Sequence, residues 1–167
     1  LWGQGSMALS QINLSLVDDL MVQTGLASPK LEEMLLDIQP SGALRAVHLD
    51  LDLDGEHPEV KVKANLENVA IHSWHGAPGA RQLNGYFETD NANGFLELDS
   101  PEGLALYYPK TFDDYMEHSS FRGQLRWLWD GENHRLKIAS GRIDMGGEEG
   151  EGNAHLYLDI PIGRPEL

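Results

Sequence analysis

The sequence contains no cysteine, and this absence removes several kinds of site at once. Without thiols the chain forms no disulfide, and it has no ligands for an iron–sulfur cluster or a thiolate zinc site. The absence leaves the compartment open, because cysteine-free domains are ordinary in both the cytosol and the periplasm.

Basic residues are also scarce: 12 Lys and Arg stand against 27 Asp and Glu, for a formal net charge of −15. Because nucleic-acid binding depends on cations that contact phosphates, this balance disfavours a nucleic-acid partner.

Long apolar runs are missing too. One of the longest, at residues 104–108, is far shorter than the ~20 residues of a membrane-spanning helix. The chain starts without Met or a signal-peptide pattern, so we expect an excised segment of a longer protein, in which an anchor or a signal could lie upstream of Leu1.

What the sequence does contain is alternation of apolar and polar residues with a period of two. The stretch "VHLDLDLDGEHPEVKVKANL" has two such runs around a turn rich in Gly and Pro, which predicts a β-hairpin with one apolar face. Opposite charges across an antiparallel pair stabilise it by about 0.2 to 1 kcal/mol. We therefore predict the register that pairs aspartates with lysines: Asp54 with Lys61, Asp52 with Lys63, Asp50 with Asn65 and His48 with Glu67.

The same stretch begins like a calcium-binding EF-hand loop, with Asp50, Asp52 and Asp54 before a glycine. That loop needs a bidentate carboxylate at its twelfth position, which here is Lys61, and helices on both sides. The hairpin is therefore favoured, and weak calcium binding by the three aspartates stays open.

One helix is predicted at about residues 29–39, where "SPKLEEMLLDIQPSG" has Ser28 as a cap, Pro29 at the first position and an apolar stripe at Leu31, Met34, Leu35 and Ile38. Its three acidic residues make it a poor membrane binder, so we expect it to cover part of the apolar face of a sheet.

The rest of the chain predicts short strands separated by Gly-, Pro- and Asn-rich turns, hence a mainly β fold: a curved antiparallel meander with one short amphipathic helix. We expect residues 1–167 to form one segment, with a strand pair at 1–25, the helix, and the meander at 43–163. A parity switch between Leu9 and Ile12 indicates a β-bulge. A weak repeat 38 residues apart matches Gly85 with Gly123 and Gly103 with Gly141, which suggests repeated strand units.

Catalytic motifs are not evident. His72 and His75 lack further ligands nearby for a metal site, the chain has no Gly-x-Ser-x-Gly elbow, and the acidic "GGEEGEG" would repel phosphate. We therefore predict a protein that is not an enzyme, with no catalytic, cofactor-binding or metal-ligating residues. A hydrolase that uses two of the many carboxylates is kept as a third possibility.

Several short motifs, in order along the chain, resemble the AsmA-like YhdP family. They are "LWGQGSMALSQINLSL", "QPSGALRAVHLDLD", "ANLENVAI", Trp74, "APG" at 77–79, "LNG" at 83–85, "NGFLELDS", Pro109 with Phe112, and "FRGQLRW". The resemblance covers nearly the whole chain and identifies it with the central domain of unknown function in that family.

The resemblance implies a segment of a large envelope protein of Gram-negative bacteria, anchored in the inner membrane and extending through the periplasm. Such proteins are thought to form β grooves, apolar inside, that carry phospholipid acyl chains toward the outer membrane and so maintain its barrier. Neighbouring β segments of the same protein would be its partners. No catalytic residues come with the resemblance.

Independently, a sheet with one apolar face and a single short helix has little to cover that face, so either the sheet curls on itself or the face is left for a ligand as a binding groove. The residues expected to line it and contact acyl chains are Leu49, Leu51, Leu53, Val60, Val62, Leu66, Phe87, Leu96, Leu98, Leu125, Trp127 and Trp129. The alternative is a carbohydrate- or protein-binding β module, in which Trp127 and Trp129 would stand on an outer polar face.

Overall fold

The computed structural model of the protein describes residues 3–17, 29–52, 54 and 59–162. They form one open, curved antiparallel sheet of 12 strands with one α-helix, which confirms the predicted fold class. The strands are β1 (Gln4–Asn13), β2 (Ser41–Asp52), β3 (Glu59–Ile71), β4 (Gly79–Thr89), β5 (Asn93–Ser100), β6 (Leu104–Tyr107), β7 (Met116–His118), β8 (Ser120–Asp130), β9 (Arg135–Ser140), β10 (Ile143–Gly147), β11 (Gly150–Ala154) and β12 (Tyr157–Pro161), and the helix α1 is Pro29–Ile38.

Of the strand pair expected at residues 1–25, the described residues include β1 and a 3-10 turn at Leu14–Leu16. Asn13 caps that turn, because its side-chain oxygen accepts a hydrogen bond from the Ser15 amide at 3.0 Å. Residues 18–28, including the predicted cap Ser28, lie outside the described residues.

The order of neighbouring strands is β1-β2-β3-β4-β5-β8, after which the sheet divides. One half of β8 pairs with β9, which pairs with β12, and the other half pairs with β10, which pairs with β11. In the same way β4 pairs with β5 through one half and with β6 through the other. The unit β4-β5-β6 is thus repeated as β8-β9-β10, and the matched glycines Gly85 and Gly123 both pair with Leu98, from opposite sides.

Three adjacent strands each contain a β-bulge. A residue that is not glycine has a positive φ at each: Ala46 at 49° in β2, Asn68 at 49° in β3 and Gln82 at 61° in β4. The register between these strands shifts at the same places. Because a bulge bends its strand and increases the twist, the line of bulges curves the sheet.

The bulges also explain the spacing of the buried residues. A regular strand turns residues two apart to the same face, yet buried Leu44 and Val47 in β2 are three apart, as are buried Ala80 and Leu83 in β4. The extra residue between them restores the apolar side chain to the inner face. The predicted parity switch in β1 thus accompanies a bulge in its neighbour β2.

A polar network supports the bend in β3 and β4. The side-chain oxygen of Asn84 accepts a hydrogen bond from the Asn68 amide at 3.0 Å, and its NH₂ group donates to the Gln82 carbonyl at 3.0 Å. The backbone amide of Asn84 donates to the hydroxyl of Ser100, a side chain that is 1% exposed. These bonds satisfy backbone groups that a bulge removes from the regular ladder.

The curvature brings apolar side chains from both ends of the sheet together. The larger buried cluster contains Leu98 of β5, Leu104 and Leu106 of β6, Phe121 of β8 and Ile143 of β10. A second, smaller cluster joins Leu44, Val47 and Ala64. The sheet therefore closes over its own apolar face at one end.

Neither cluster, nor the partly buried residues packed against it, includes one of the α1 side chains that the structure describes, those of residues 32–38. The His72 amide donates to the Ile38 carbonyl at 2.7 Å, which ties the helix end to the end of β3. Met34, Leu35 and Ile38 of the predicted stripe are half-buried, and the expectation that the helix covers part of the apolar face stays a prediction.

The predicted hairpin of β2 and β3 is present, with the aspartates and lysines on the face opposite to the leucines, but the predicted register is wrong. The observed pairs are Asp52 with Glu59, Asp50 with Lys61, His48 with Lys63 and Arg45 with Asn65. Exposed charge pairs contribute little, whereas the observed register keeps buried Val47 beside buried Ala64. Packing therefore decided the register.

We predict that Asn84→Ala lowers the free energy of unfolding by about 1 to 3 kcal/mol, because it leaves the Asn68 amide without its acceptor at the bend. Urea unfolding of the purified chain would measure this. The matched control is Gln124→Ala, which removes an exposed side-chain amide bonded to Glu97, and we expect a change below about 0.5 kcal/mol. Equal effects of the two substitutions would contradict the role given to the network.

Candidate functional site

The inner face of the curved sheet carries a continuous row of residues from β1 to β12. Residues directly paired across antiparallel strands point to the same side, so the register defines the row without further assumption. It runs across eight strands as Met7, Leu49, Val62, Thr89, Gly94, Trp127, Ile138 and Leu158.

The residues that the sequence predicts for the groove fall on this face, in the row or in the rows beside it. Leu51 pairs with Val60, Phe87 pairs with both Ala64 and Leu96, and Leu96 pairs in turn with Leu125. The structure therefore brings eleven of the twelve predicted residues together on one side of the sheet. The twelfth, Leu53, lies outside the described residues.

These eleven side chains differ in accessibility. Leu98 is 5% exposed and belongs to the larger buried cluster, while Leu66, Phe87, Leu96 and Leu125 pack partly against the two clusters. Val62 also packs against the smaller cluster. The remaining predicted residues are half-buried as well but belong to neither cluster, and they lie toward the hairpin ends of the sheet: Leu49, Leu51, Val60, Trp127 and Trp129.

Trp127 lies on the inner face, and its position depends on a glycine in the neighbouring strand. A Cβ atom at Gly94 would overlap the Trp127 indole, so the ring rests directly against the backbone of β5. Trp129 pairs with Leu136, which pairs with Ile160, and so it shares this apolar side. Both tryptophans therefore lie away from the outer polar face on which a carbohydrate-binding module would need them.

Sequence reasoning missed several residues of the same face. Met7 and Leu9 in β1 are 51% and 40% exposed, and Leu136, Ile138 and Leu158 extend the face over β9 and β12. Each of these strands shows the alternation of apolar and polar residues that predicts an apolar face. Without the strand pairings, however, the sequence does not show that these residues lie on the same face of the sheet as Leu49 or Trp127.

At the ends of β1, β2 and β3 a cavity of about 390 Å³ lies on the outer face, lined mainly by polar residues of two outer rows: Gln4, Asp52 and Glu59, and Ser6, Asp50 and Lys61. On the inner face, Gly5 pairs with Leu51. A Cβ at Gly5 would have nothing within 4 Å, so this part of the face is open.

The hairpin ends are tied to one another by hydrogen bonds from the turn between β4 and β5. The side-chain oxygen of Asn91 accepts from the Val60 amide at 2.9 Å, and the Ala92 carbonyl accepts from the Trp129 amide at 2.7 Å. The turn thus connects β3 on one side with β8 on the other and fixes the positions of these strand ends relative to each other.

Two aspartates stabilise these turns, and both have a lowered pKa. Asp90 accepts hydrogen bonds from the backbone amides of Asn93 and Ala92, which lower its pKa. The pKa of Asp130 falls to about 2, chiefly because its carboxylate accepts from the side chain and then the backbone of Asn133, and also from Lys137. Each carboxylate is therefore a structural acceptor in its ionised form.

The aspartates of the former calcium hypothesis lie elsewhere. Asp50 and Asp52 are in β2 on the outer face, paired with Lys61 and Glu59 of β3 rather than gathered in a loop. Among the described residues, no group of three or more His, Asp or Glu side chains is placed to hold a metal ion.

We predict that acid weakens the turn between β8 and β9. A carboxylate whose pKa is lowered in the folded state stabilises that state fully above its unfolded pKa, 3.8 for Asp130, and loses this effect as the pH falls toward about 2. Urea unfolding at pH 5 and pH 2.5 should therefore differ less in Asp130→Ala than in the unchanged protein. An NMR titration of the Asp130 carboxyl with a midpoint near 3.8 would contradict the assignment.

Comparison with known proteins gives one match. Neither curated proteins nor solved structures yield one, whereas the family model described as YhdP protein matches residues 2–166. This family is not a known enzyme family, and membership is consistent with a segment of an envelope protein. Within the described residues, no helix has the length and apolar character needed to cross a membrane. The chain belongs to the YhdP protein family.

Proposed function

We propose that this chain is a non-catalytic segment of a periplasm-spanning, inner-membrane-anchored protein, and that its inner face is an apolar groove for phospholipids moving between the inner and outer membranes. The observation that carries the proposal is the partly exposed apolar row from Met7 to Leu158, which crosses eight strands without a charged residue. Exposed apolar surfaces of this extent mark binding sites.

The chemistry of such a groove is transfer of hydrocarbon from water. Each CH₂ group of an acyl chain that is buried contributes about 0.8 kcal/mol, and half-buried Leu, Val and Trp side chains offer dispersion contacts along the row. No bond is made or broken in this process. Thr89, the polar member of the row, donates its hydroxyl to the Asp90 or Asn93 carbonyl in its own turn.

The partners in this proposal include neighbouring β segments of the same full-length protein, and β1 is the strand that supports this. β1 pairs with β2 along one side and is the end of the strand order. Natural edge strands are usually blunted by charge or proline. The ten residues of β1, QGSMALSQIN, contain neither and are nearly all exposed, so the strand suits pairing with a further strand of the groove.

The lipid proposal predicts that a carboxylate on the inner face reduces binding. This chain, residues 1–167, purified without detergent should carry phospholipid, detected by native mass spectrometry, and should bind a fluorescent acyl probe. Met7→Glu and Leu51→Glu should weaken probe binding by about tenfold or more, because burying a charge beside an acyl chain is costly.

Ala8→Glu is the matched control, since Ala8 adjoins Met7 in β1 but pairs with His48 on the outer face. It should leave binding unchanged. Absence of phospholipid and of probe binding in the unchanged protein would overturn the lipid proposal.

The strand-pairing proposal predicts a difference in amide hydrogen exchange. In the full-length protein, the β1 amides that face away from β2 should exchange at least about tenfold more slowly than in the isolated chain, because a neighbouring strand would accept their hydrogen bonds. Amides of central β3 serve as the internal reference. Equal exchange of β1 in the two proteins would show that its edge stays free.

A further inference from the structure

Trp127 brings a polar atom to the apolar row of the inner face. Its indole ring lies against the backbone of β5, because a Cβ at Gly94 would overlap the Cε2, Cζ2 and Nε1 atoms of the ring. The edge of the ring that carries the Nε1–H group therefore lies over Gly94. Since Gly94 pairs with Trp127 on one side and with Thr89 on the other, this edge is on β5, between β8 and β4.

The Nε1–H group of Trp127 has no acceptor among the described residues. Its nitrogen is also not buried, because no buried side-chain nitrogen or oxygen in the described part of the chain lacks a partner. The group is therefore a donor that solvent reaches on the apolar face. Thr89, the polar member of the row, already donates its hydroxyl to the Asp90 or Asn93 carbonyl.

This free donor limits what can cover the middle of the row. Hydrocarbon laid over the Nε1–H group would remove it from water without replacing the hydrogen bond, and an unpaired donor away from water is costly. An occupant that fits must therefore bring an acceptor oxygen joined to an apolar group. The ester carbonyl of a phospholipid is such an oxygen, because it lies at the start of the acyl chain. Tryptophan indoles have the same role at membrane surfaces, where the ring packs on hydrocarbon and its N–H meets polar lipid groups.

The length of the row on each side of Trp127 gives such a lipid a direction. From Gly94 in β5 to Met7 in β1 the row crosses four strand spacings, or about 19 Å at ~4.8 Å each. The acyl chains of one leaflet span ~15 Å, half of a bilayer core. From Trp127 in β8 to Leu158 in β12 the row crosses two spacings, about 10 Å. An acyl chain that starts at Trp127 therefore fits toward β1 and not toward β12.

We propose that Trp127 is the ester-binding residue of the groove: its Nε1–H group donates to an ester carbonyl of a phospholipid, whose acyl chains run from there toward Met7. This inference rests on the proposed function of the inner face and adds which part of the lipid each strand contacts. The glycerol lies beside Trp127, and the chain ends lie at β1, the strand proposed to pair with a further segment.

The test compares two phosphatidylcholines of equal chain length, one with ester links and one with ether links, which lack the carbonyl. Each lipid competes with the fluorescent acyl probe for this chain, residues 1–167. The unchanged protein should bind the ester lipid about fivefold more tightly, as expected for one added hydrogen bond. Trp127→Phe keeps an aromatic ring but removes the donor, so it should abolish the difference by weakening the ester lipid alone.

Two further variants separate the donor from the bulk of the ring. Trp129→Phe is the matched control, because it removes an indole N–H from the same strand but outside the row, and it should keep the ester preference. Gly94→Ala leaves the indole in the protein but forces it away from β5, so it should reduce the preference as Trp127→Phe does.

The direction of the lipid is tested with an ester phosphatidylcholine that carries a diazirine at the end of one acyl chain. After irradiation, mass spectrometry should find the label on β1, at or near Met7.

Equal affinity of the unchanged protein for the two lipids, an ester preference that survives Trp127→Phe, or a label mainly on β9 or β12 would overturn this inference while leaving the groove in place. Binding of neither lipid would overturn this inference and the proposed function together.

Discussion

The fold depends on keeping apolar side chains on one face of long strands that bend. In a regular strand with alternating residues, all apolar side chains lie on one face. A β-bulge that bends the strand adds one residue, so the apolar residues on its two sides must be three positions apart, not two, to stay on the same face. Ala46, Asn68 and Gln82, at positive φ in three neighbouring strands, supply that insertion. The hydrogen bonds of Asn84 and buried Ser100 stabilise the bend where the regular ladder is interrupted.

The same bend divides the apolar face into two parts with different roles. At one end Leu98 of β5, Leu104 of β6 and Ile143 of β10 are buried together as a core. Toward the hairpin ends nothing in the described residues covers the face, and Leu49, Val62 and Trp127 remain partly open. Stability and the proposed lipid contact are thus supplied by one continuous surface, which explains why the protein can leave apolar side chains exposed without losing its fold.

Much of the site could be predicted from the alternation of apolar and polar residues. In a strand, residues two positions apart lie on the same face, so the alternation shows which side chains share a face before any partner strand is known. The hairpin of β2 and β3 and the common side of Leu49, Leu51, Val60 and Val62 were predicted in this way. The register was not, since the weak pairing of exposed aspartates and lysines was given more importance than the packing of Val47 against Ala64. Periodicity also made the helix amphipathic without showing that the larger buried cluster draws its residues from six strands of the sheet.

The sequence by itself determined the class of fold, the apolar face and the absence of thiol chemistry, because composition and local periodicity are properties of the chain alone. Only the tertiary structure decided which strands are neighbours, and with them the row from Met7 to Leu158. Those features join residues more than a hundred positions apart, and such distant pairings depend on the packing of the whole sheet.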